Sequence, residues 1–129
     1  MKTLIIIISL LFSSNIDNSD FPIYGKWKLE MIEIDQKFLI PEHRDYFLSI
    51  SKELLSYNLE INKCWTKDFT VNDNLINIQQ IACTEIGGDG RLDSISNYIN
   101  YRGPYEIKEN QLIIITTDSK LYLNRVLDE

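Results

Sequence analysis

Alternation between apolar and polar side chains is the strongest structural signal in this chain. It is clearest over residues 25–31, where Trp27, Leu29 and Met31 fall on one face and charged side chains fall on the other. A period of two with one polar face is typical of an antiparallel strand that covers a core. The pattern therefore predicts a first strand here, which weakens over residues 32–35.

Residues 46–61 allow two interpretations. Apolar residues alternate with Ser, Asn and Glu on both sides of Ser51-Lys52-Glu53, which predicts two strands joined by a turn. A helix from Glu42 to about Tyr57 would also bring several of the same apolar side chains together. The period of two favours the strands, and the helix stays open as the alternative.

The rest of the chain carries short β-rich runs separated by turn residues. Asn72-Asp73-Asn74, Glu109-Asn110 and Asp118-Ser119 each separate two such runs, and Asn and Asp tolerate the left-handed backbone that tight hairpins require. We therefore predict strands at residues 69–71, 75–78, 105–108, 111–117 and 120–127, and residues 81–84 close the section that contains the first of these hairpins.

One segment departs from this pattern. Gly87-Gly88-Asp89-Gly90 breaks the chain, and apolar residues then recur at helical spacing. We predict one short helix near residues 90–101, which ends at Gly103-Pro104. About seven or eight strands with one helix indicate a mainly β fold, a small antiparallel barrel or a sandwich, as a single domain over residues 23–129.

Arg125 is a charged residue on the leucine-bearing face of the last predicted strand. Trp27 faces inward from the first strand. If the sheet joins its first strand to its last, the guanidinium would stack on the indole in a cation–π contact. The alternative is that Arg125 simply reaches water at the end of its strand.

Residues 1–14 read as a signal peptide. Lys2 gives a positive start, and the apolar run Leu4–Phe12 is too short for a membrane span but has the length of a signal-peptide core. No cysteine follows the run, so we expect an exported, periplasmic or secreted protein without a lipid anchor. Residues 15–22 form a polar spacer. A buried N-terminal strand of a cytosolic protein is the alternative.

The composition and net charge of the chain make some classes of binding partner less favourable than others. Of 129 residues, 44% are hydrophobic and 25% charged, which is ordinary for a globular domain, and the formal net charge is -6. A net negative charge disfavours nucleic acid and anionic membrane surfaces as partners. We expect a monomer with no membrane span.

The two cysteines, Cys64 and Cys83, suit an exported protein. A lone pair usually forms a disulfide in an oxidising compartment. Metal binding lacks further ligands, because His43 is the only histidine and there is no Cys-x-x-Cys. The chain also carries no phosphate-binding or Gly-x-Ser-x-Gly motif, so we expect neither a cofactor nor enzymatic activity.

Two sets of residues resemble known families. Gly25-x-Trp27 with the late Arg125 resembles lipocalin-like barrels, which cover the tryptophan of a Gly-x-Trp strand with a basic residue. The order of Asn62-Lys63-Cys64, the segment Ile81–Ile86, a helix and a Tyr-x-Ile strand at Tyr105 is similar to the META/HslJ-like family of small exported bacterial proteins. The resemblance implies a non-catalytic protein that binds proteins or small apolar molecules, or that serves envelope stress tolerance.

These features lead to a hypothesis of a non-catalytic exported binding protein. It would engage a protein partner through its loops, as an inhibitor of a secreted peptidase for example. Its candidate partner loop comprises Ile86, Gly87, Gly88, Asp89, Gly90 and Arg91. The alternatives are an envelope maintenance protein of the META type and a carrier of a small apolar ligand inside the barrel. The carrier would be lined by Trp27, Tyr57 and Tyr105.

Overall fold

The computed structural model of the protein describes residues 22–42, 45–59, 62–84 and 99–127. Within these ranges the fold is mainly β and antiparallel, with eleven strands and no helix. The strands are β1 Gly25–Ile34, β2 Lys37–Leu39, β3 Phe47–Ile50, β4 Leu55–Leu59, β5 Asn62–Thr66, β6 Phe69–Val71, β7 Leu75–Ile78, β8 Ala82–Cys83, β9 Gly103–Lys108, β10 Gln111–Ile115 and β11 Ser119–Arg125.

The sheet curls so that its first strand pairs with its last described strand. Ten strands follow the order β6-β7-β9-β10-β11-β1-β3-β4-β5-β8, and β2 pairs with β1 beside this path. β1 is central, because β11 pairs with one of its edges while β3 and β2 share the other. This arrangement belongs to the β-barrel class that the sequence predicted.

The two ends of the curled sheet belong to one interrupted hairpin. Trp65 faces Ala82 in the β5–β8 ladder, and Phe69 faces Ile78 in the β6–β7 ladder. From the first pair to the second, the chain moves forward four residues on one arm of the hairpin and back four residues on the other. The two ladders therefore have the same register. In the gap, the amide of Gln79 donates to the carbonyl of Asp68 at 2.9 Å, and the Thr66 hydroxyl donates to the Gln80 carbonyl.

The predicted count of seven or eight strands is therefore too low. The three strands that were not expected are β2, β5 and β8, and the last two form the part of the long hairpin on one side of the gap. Residues 90–98 of the helix predicted near residues 90–101 lie outside the described ranges. Residues 99–102, which are described, have no regular secondary structure.

The interpretation of residues 46–61 as strands is confirmed over their described part. β3 and β4 pair with Ser49 opposite Ser56, and the turn closes through the amide of Ser51 and the carbonyl of Leu54, 2.8 Å apart. The predicted hairpins around residues 72–74 and 109–110 also form, as β6–β7 and β9–β10.

The prediction that Met31 shares the inward face of Trp27 and Leu29 is wrong, because the register of β1 shifts between Leu29 and Met31. Leu29 lies opposite Leu123, but Met31 lies opposite Tyr122, so Glu30 is an extra residue on β1. An extra residue reverses the alternation beyond it. Ile32 is buried in consequence, while Met31 is only half-buried.

The inward face of the sheet forms one packed core. Aromatic side chains fill a large part of it, and Trp27, Tyr46 and Tyr101 are at most 1% exposed. The remaining buried apolar residues are Ile23, Leu29, Ile32, Leu48, Ile50, Leu55, Ile76, Ile78, Ile99, Tyr105, Leu112, Ile114, Leu121 and Leu123. Leu127, predicted on the inward face of the last strand, instead lies beyond β11 and is exposed.

Candidate functional site

Arg125 closes one end of the core by stacking on Trp27. Its guanidinium carbon lies 4.1 Å from the centroid of the indole ring, as predicted from the sequence. Two backbone carbonyls accept its N–H groups, that of Tyr24 at 3.1 Å and that of Pro22. The indole N–H of Trp27 donates to the carbonyl of Ile23 at 2.8 Å. The contact therefore fixes residues 22–24 across the end of the sheet.

Gly25 provides the space for this contact. A side chain at position 25 would place its Cβ 2.9 Å from Nη1 of Arg125, closer than two such atoms can pack. The backbone at Gly25 also has a φ of 136°, which residues with a Cβ rarely adopt. The absence of a side chain at Gly25 therefore leaves room for the Arg125 guanidinium to lie over the Trp27 indole.

Tyr57 and Tyr101 form an aromatic pair in the core. Their ring centroids are 4.6 Å apart. Burial strongly raises the pKa of Tyr101, and the neighbouring Tyr57 and Tyr46 raise it further. Burial also raises the pKa of Tyr57, which the charge of Arg102 partly offsets. These side chains are held in their neutral form.

The three residues predicted to line an internal ligand site have separate surroundings. Trp27 is fully buried beneath Arg125, and Tyr57 packs on Tyr101. Tyr105 donates its hydroxyl to the carbonyl of Asn72, and burial raises its pKa, with a further increase from the charge of Asp73. Each ring thus packs against the chain itself.

Cys64 and Cys83 form the predicted disulfide. They face each other directly across β5 and β8, with their Cα atoms 4.1 Å apart. Cys64 is fully buried, and Cys83 is exposed at the end of the sheet. The bond is compatible with an oxidising compartment.

Two large apolar side chains are exposed close together at the end of the β1–β2 hairpin. Phe38, in β2, is 57% exposed, and Ile40, which follows β2, is 61% exposed, whereas Leu39 between them is half-buried. Asp35 and Gln36 form the turn with φ values of 49° and 64°. Two positive φ angles are typical of the type I′ hairpin turn. The sequence missed this hairpin because the turn lacks the usual Asn-Gly or Asp-Gly pair.

A cleft lies beside the gap in the long hairpin. It encloses about 480 Å³, and exposed Trp65 forms part of its wall. Lys67, Asp68 and Gln80 also line it, and their side chains make no hydrogen bond or ion pair within the described part of the chain. The alternating pattern around Trp65 could have indicated its outward position, because Cys64 and Thr66 on either side of it are buried.

Several predicted features fall outside the described residues. They are the signal peptide at residues 1–14, most of the spacer at 15–22, the lone His43 and the partner loop Ile86–Arg91. In the part of the chain that is described, no group of three or more His, Cys, Asp or Glu side chains is placed to hold a metal ion. No helix among those residues is long and apolar enough to cross a membrane.

Comparison with known proteins finds no relative of this chain. No family model, curated protein or solved structure matches it. The resemblance to META/HslJ-like and lipocalin-like proteins stays a prediction. Any function must therefore be inferred from the contacts and surfaces of the chain itself.

Proposed function

We propose that this chain is a non-catalytic exported protein that binds a protein partner through its outer surface. The observation that carries the proposal is the exposed pair Phe38 and Ile40 on the β1–β2 hairpin. Among the described residues, buried aromatic rings fill a large part of the interior, which favours surface binding over an internal apolar ligand.

The position of β2 suits an extended segment of another protein. β2 pairs with β1 alone among the described strands, so its other edge offers backbone N–H and C=O groups. Sheet edges of this kind recruit an additional strand, and neighbouring apolar side chains add affinity and selectivity. Phe38 and Ile40 supply those side chains.

Export is the second part of the proposal. Residues 1–14 carry the signal-peptide pattern, and the Cys64–Cys83 disulfide is compatible with an oxidising compartment. A partner in the envelope or the medium is therefore the expected target, and a secreted peptidase is the specific class that we propose to test.

A pull-down from the native envelope and secreted fractions tests the binding surface. We expect the double substitution Phe38→Ser/Ile40→Ser to lower recovery of the partner by about tenfold or more, since it removes two apolar anchors. Leu127→Ser is the matched control, because Leu127 is 65% exposed but lies away from β2. Equal recovery by the double variant and the wild type would refute the role of this hairpin.

The peptidase proposal has its own test. Deletion of Gly87-Gly88 should abolish inhibition of the recovered peptidase and leave thermal unfolding of the sheet unchanged. Inhibition that persists in this variant excludes Ile86–Arg91 as the inhibitory loop. Recovery of an extracted apolar molecule without any protein partner would instead support the carrier.

A further inference from the structure

The outward face of four neighbouring strands is positively charged, although the protein as a whole is acidic. The chain contains 19 acidic and 13 basic residues. On the first half of β1 and on β3, β4 and β5, every charged outward residue is nevertheless a lysine. We call this the lysine face, and its outward residues are Lys26, Lys28, Phe47, Ser49, Ser56, Asn58, Lys63 and Trp65.

One row of this face runs straight across the strands. Lys26 lies beside Ser49, Ser49 beside Ser56, Ser56 beside Trp65, and Trp65 beside Ala82. Adjacent strands are about 4.8 Å apart, so Lys26 and Trp65 lie about 14 Å apart along the row. The row thus joins a cationic end to an aromatic end.

A shallow pocket at the cationic end contains free hydrogen-bond donors. It encloses about 210 Å³, with Lys26 and Lys63 at its sides and Ser49 and Ser56 between them. Neither serine hydroxyl has a hydrogen-bond partner in the described ranges, and the Lys63 ammonium has no ion pair there. Two ammonium groups beside two hydroxyls favour a single anionic group such as a carboxylate or a sulfate.

The surroundings of the pocket are fixed before any ligand arrives. The Lys26 ammonium lies 4.3 Å from the centroid of the Phe47 ring. Asn58 accepts from the Phe47 amide at 2.8 Å and donates to the Asp45 carbonyl at 3.0 Å. Asp45 also pairs with Lys28 at 3.5 Å, so that carboxylate is directed to a lysine outside the pocket. Because the side chains of the pocket are already ordered, less conformational entropy is lost when a ligand binds.

The aromatic end suits a sugar ring. The strand neighbours of Trp65 are Ser56 and Ala82, which are too small to cover the indole. In the cleft of about 480 Å³ beside it, Asp68 and Gln80 offer acceptors and donors for hydroxyl groups. The negative face of an indole attracts the C–H groups of a sugar. Asp68 and Gln80 can bond sugar hydroxyls, of which the backbone of a nucleic acid offers few, so an oligosaccharide suits the cleft better than a nucleic acid.

We infer that the lysine face binds an acidic oligosaccharide, with its anionic group between Lys26 and Lys63 and a neighbouring sugar ring on Trp65. The site is separate from β2, so it does not depend on the protein partner proposed above. It would attach the exported protein to an acidic polysaccharide of an envelope or matrix.

Titration calorimetry of the purified, disulfide-bonded protein tests the inference. The probes are hexagalacturonate and a heparin-derived hexasaccharide, with fully methyl-esterified hexagalacturonate as the neutral analogue and a single-stranded thymidine hexanucleotide as the phosphate analogue. We expect at least one acidic sugar to bind about tenfold or more tightly than either analogue. Its affinity should fall as ionic strength rises from about 50 to about 500 mM.

Substitutions locate the site. Lys26→Gln/Lys63→Gln and, separately, Trp65→Ala should each weaken binding of the acidic sugar by about tenfold or more. Lys108→Gln/Lys120→Gln removes the same charge from β9 and β11, and should leave affinity within about twofold. Thermal unfolding confirms that each variant is folded. The inference is overturned if neither acidic sugar binds, if either analogue binds as tightly, or if the control weakens binding equally.

Discussion

Arg125 shows how a charged residue can occupy a position at the rim of an apolar core. Its flat guanidinium covers the Trp27 indole, while its N–H groups donate to the carbonyls of Tyr24 and Pro22. A lysine could keep the charge and one of the hydrogen bonds but would lose the planar stacking and the second hydrogen bond. The shape of the group, as well as its charge, is therefore required.

Arg125→Lys should lower the free energy of unfolding by about 1–2 kcal/mol, because the stacking and one hydrogen bond are lost. Urea unfolding followed by tryptophan fluorescence measures the change. Lys120→Arg, an exposed exchange on the same strand, is the control and should remain within about 0.5 kcal/mol of the wild type. An equally small effect of Arg125→Lys would contradict the closing role of the guanidinium.

Tyr101 makes the stability of the fold sensitive to alkaline pH. Its pKa is raised by burial, so the folded protein keeps the phenol neutral where the unfolded chain ionises it. Below about pH 10 both states are neutral and pH has no effect through this group. Above about pH 10 the unfolded state binds fewer protons, and stability falls by up to about 1.4 kcal/mol per pH unit for each such tyrosine.

Tyr101→Phe should reduce this alkaline loss. The Tyr101 hydroxyl is buried without a hydrogen-bond partner in the described ranges, so the variant should be at least as stable as the wild type at pH 7. As the pH rises from about 10 to about 11, the difference in free energy of unfolding between the variant and the wild type should grow by about 1 kcal/mol in favour of the variant. If the free energies of unfolding of the wild type and the variant differ by the same amount at every pH, Tyr101 does not ionise on unfolding.

At the scale of elements, the interrupted hairpin depends on its covalent link. β8 is two residues long, and it pairs with β5 at Cys64–Cys83 and Trp65–Ala82, while the amide of the following Thr84 donates to the Lys63 carbonyl at 3.0 Å. So short a ladder holds a strand only weakly at the end of a sheet. The disulfide therefore compensates for the gap over residues 66–68 and 79–81.

Reduction of the disulfide should lower the free energy of unfolding by about 3 kcal/mol, since the bond restricts an unfolded loop of this length. Urea unfolding with and without a reductant measures the effect without any substitution in the sequence. Cys64→Ala/Cys83→Ala should be at least as unstable, because it also leaves a small void at buried Cys64. A loss below about 1 kcal/mol would mean that the β5–β8 pairing holds without the link.

Elements with a strong local signal could be predicted, and those set by tertiary contacts could not. The hairpins at residues 72–74 and 109–110 combine turn residues with alternating strands, so their sequence suffices. The turn at Asp35-Gln36 has an Asp but no following Gly, and its two positive φ angles accompany the pairing of β2 with β1. The extra residue Glu30 is also a consequence of pairing with β11, which composition does not reveal.

At the scale of the whole molecule, one long-range contact could be predicted from residue types alone. Arg125 and Trp27 are chemically matched, and each lies on an inward face, so the joining of first and last strands could be inferred from them. The lysine face could not be seen in the sequence. Its rows become continuous only when the registers of β1, β3, β4 and β5 are known.

The pairing of β1 with β11 also has a consequence for the order of synthesis. Trp27 is translated early, but its covering residue, Arg125, is translated nearly a hundred residues later. Until then the central strand has one open edge, and the growing chain cannot complete its core. For a chain exported as we propose, co-translational passage through a translocation channel would begin before Arg125 is available to complete the core. The sheet then closes only on the far side of the membrane, where an oxidant can join Cys64 to Cys83.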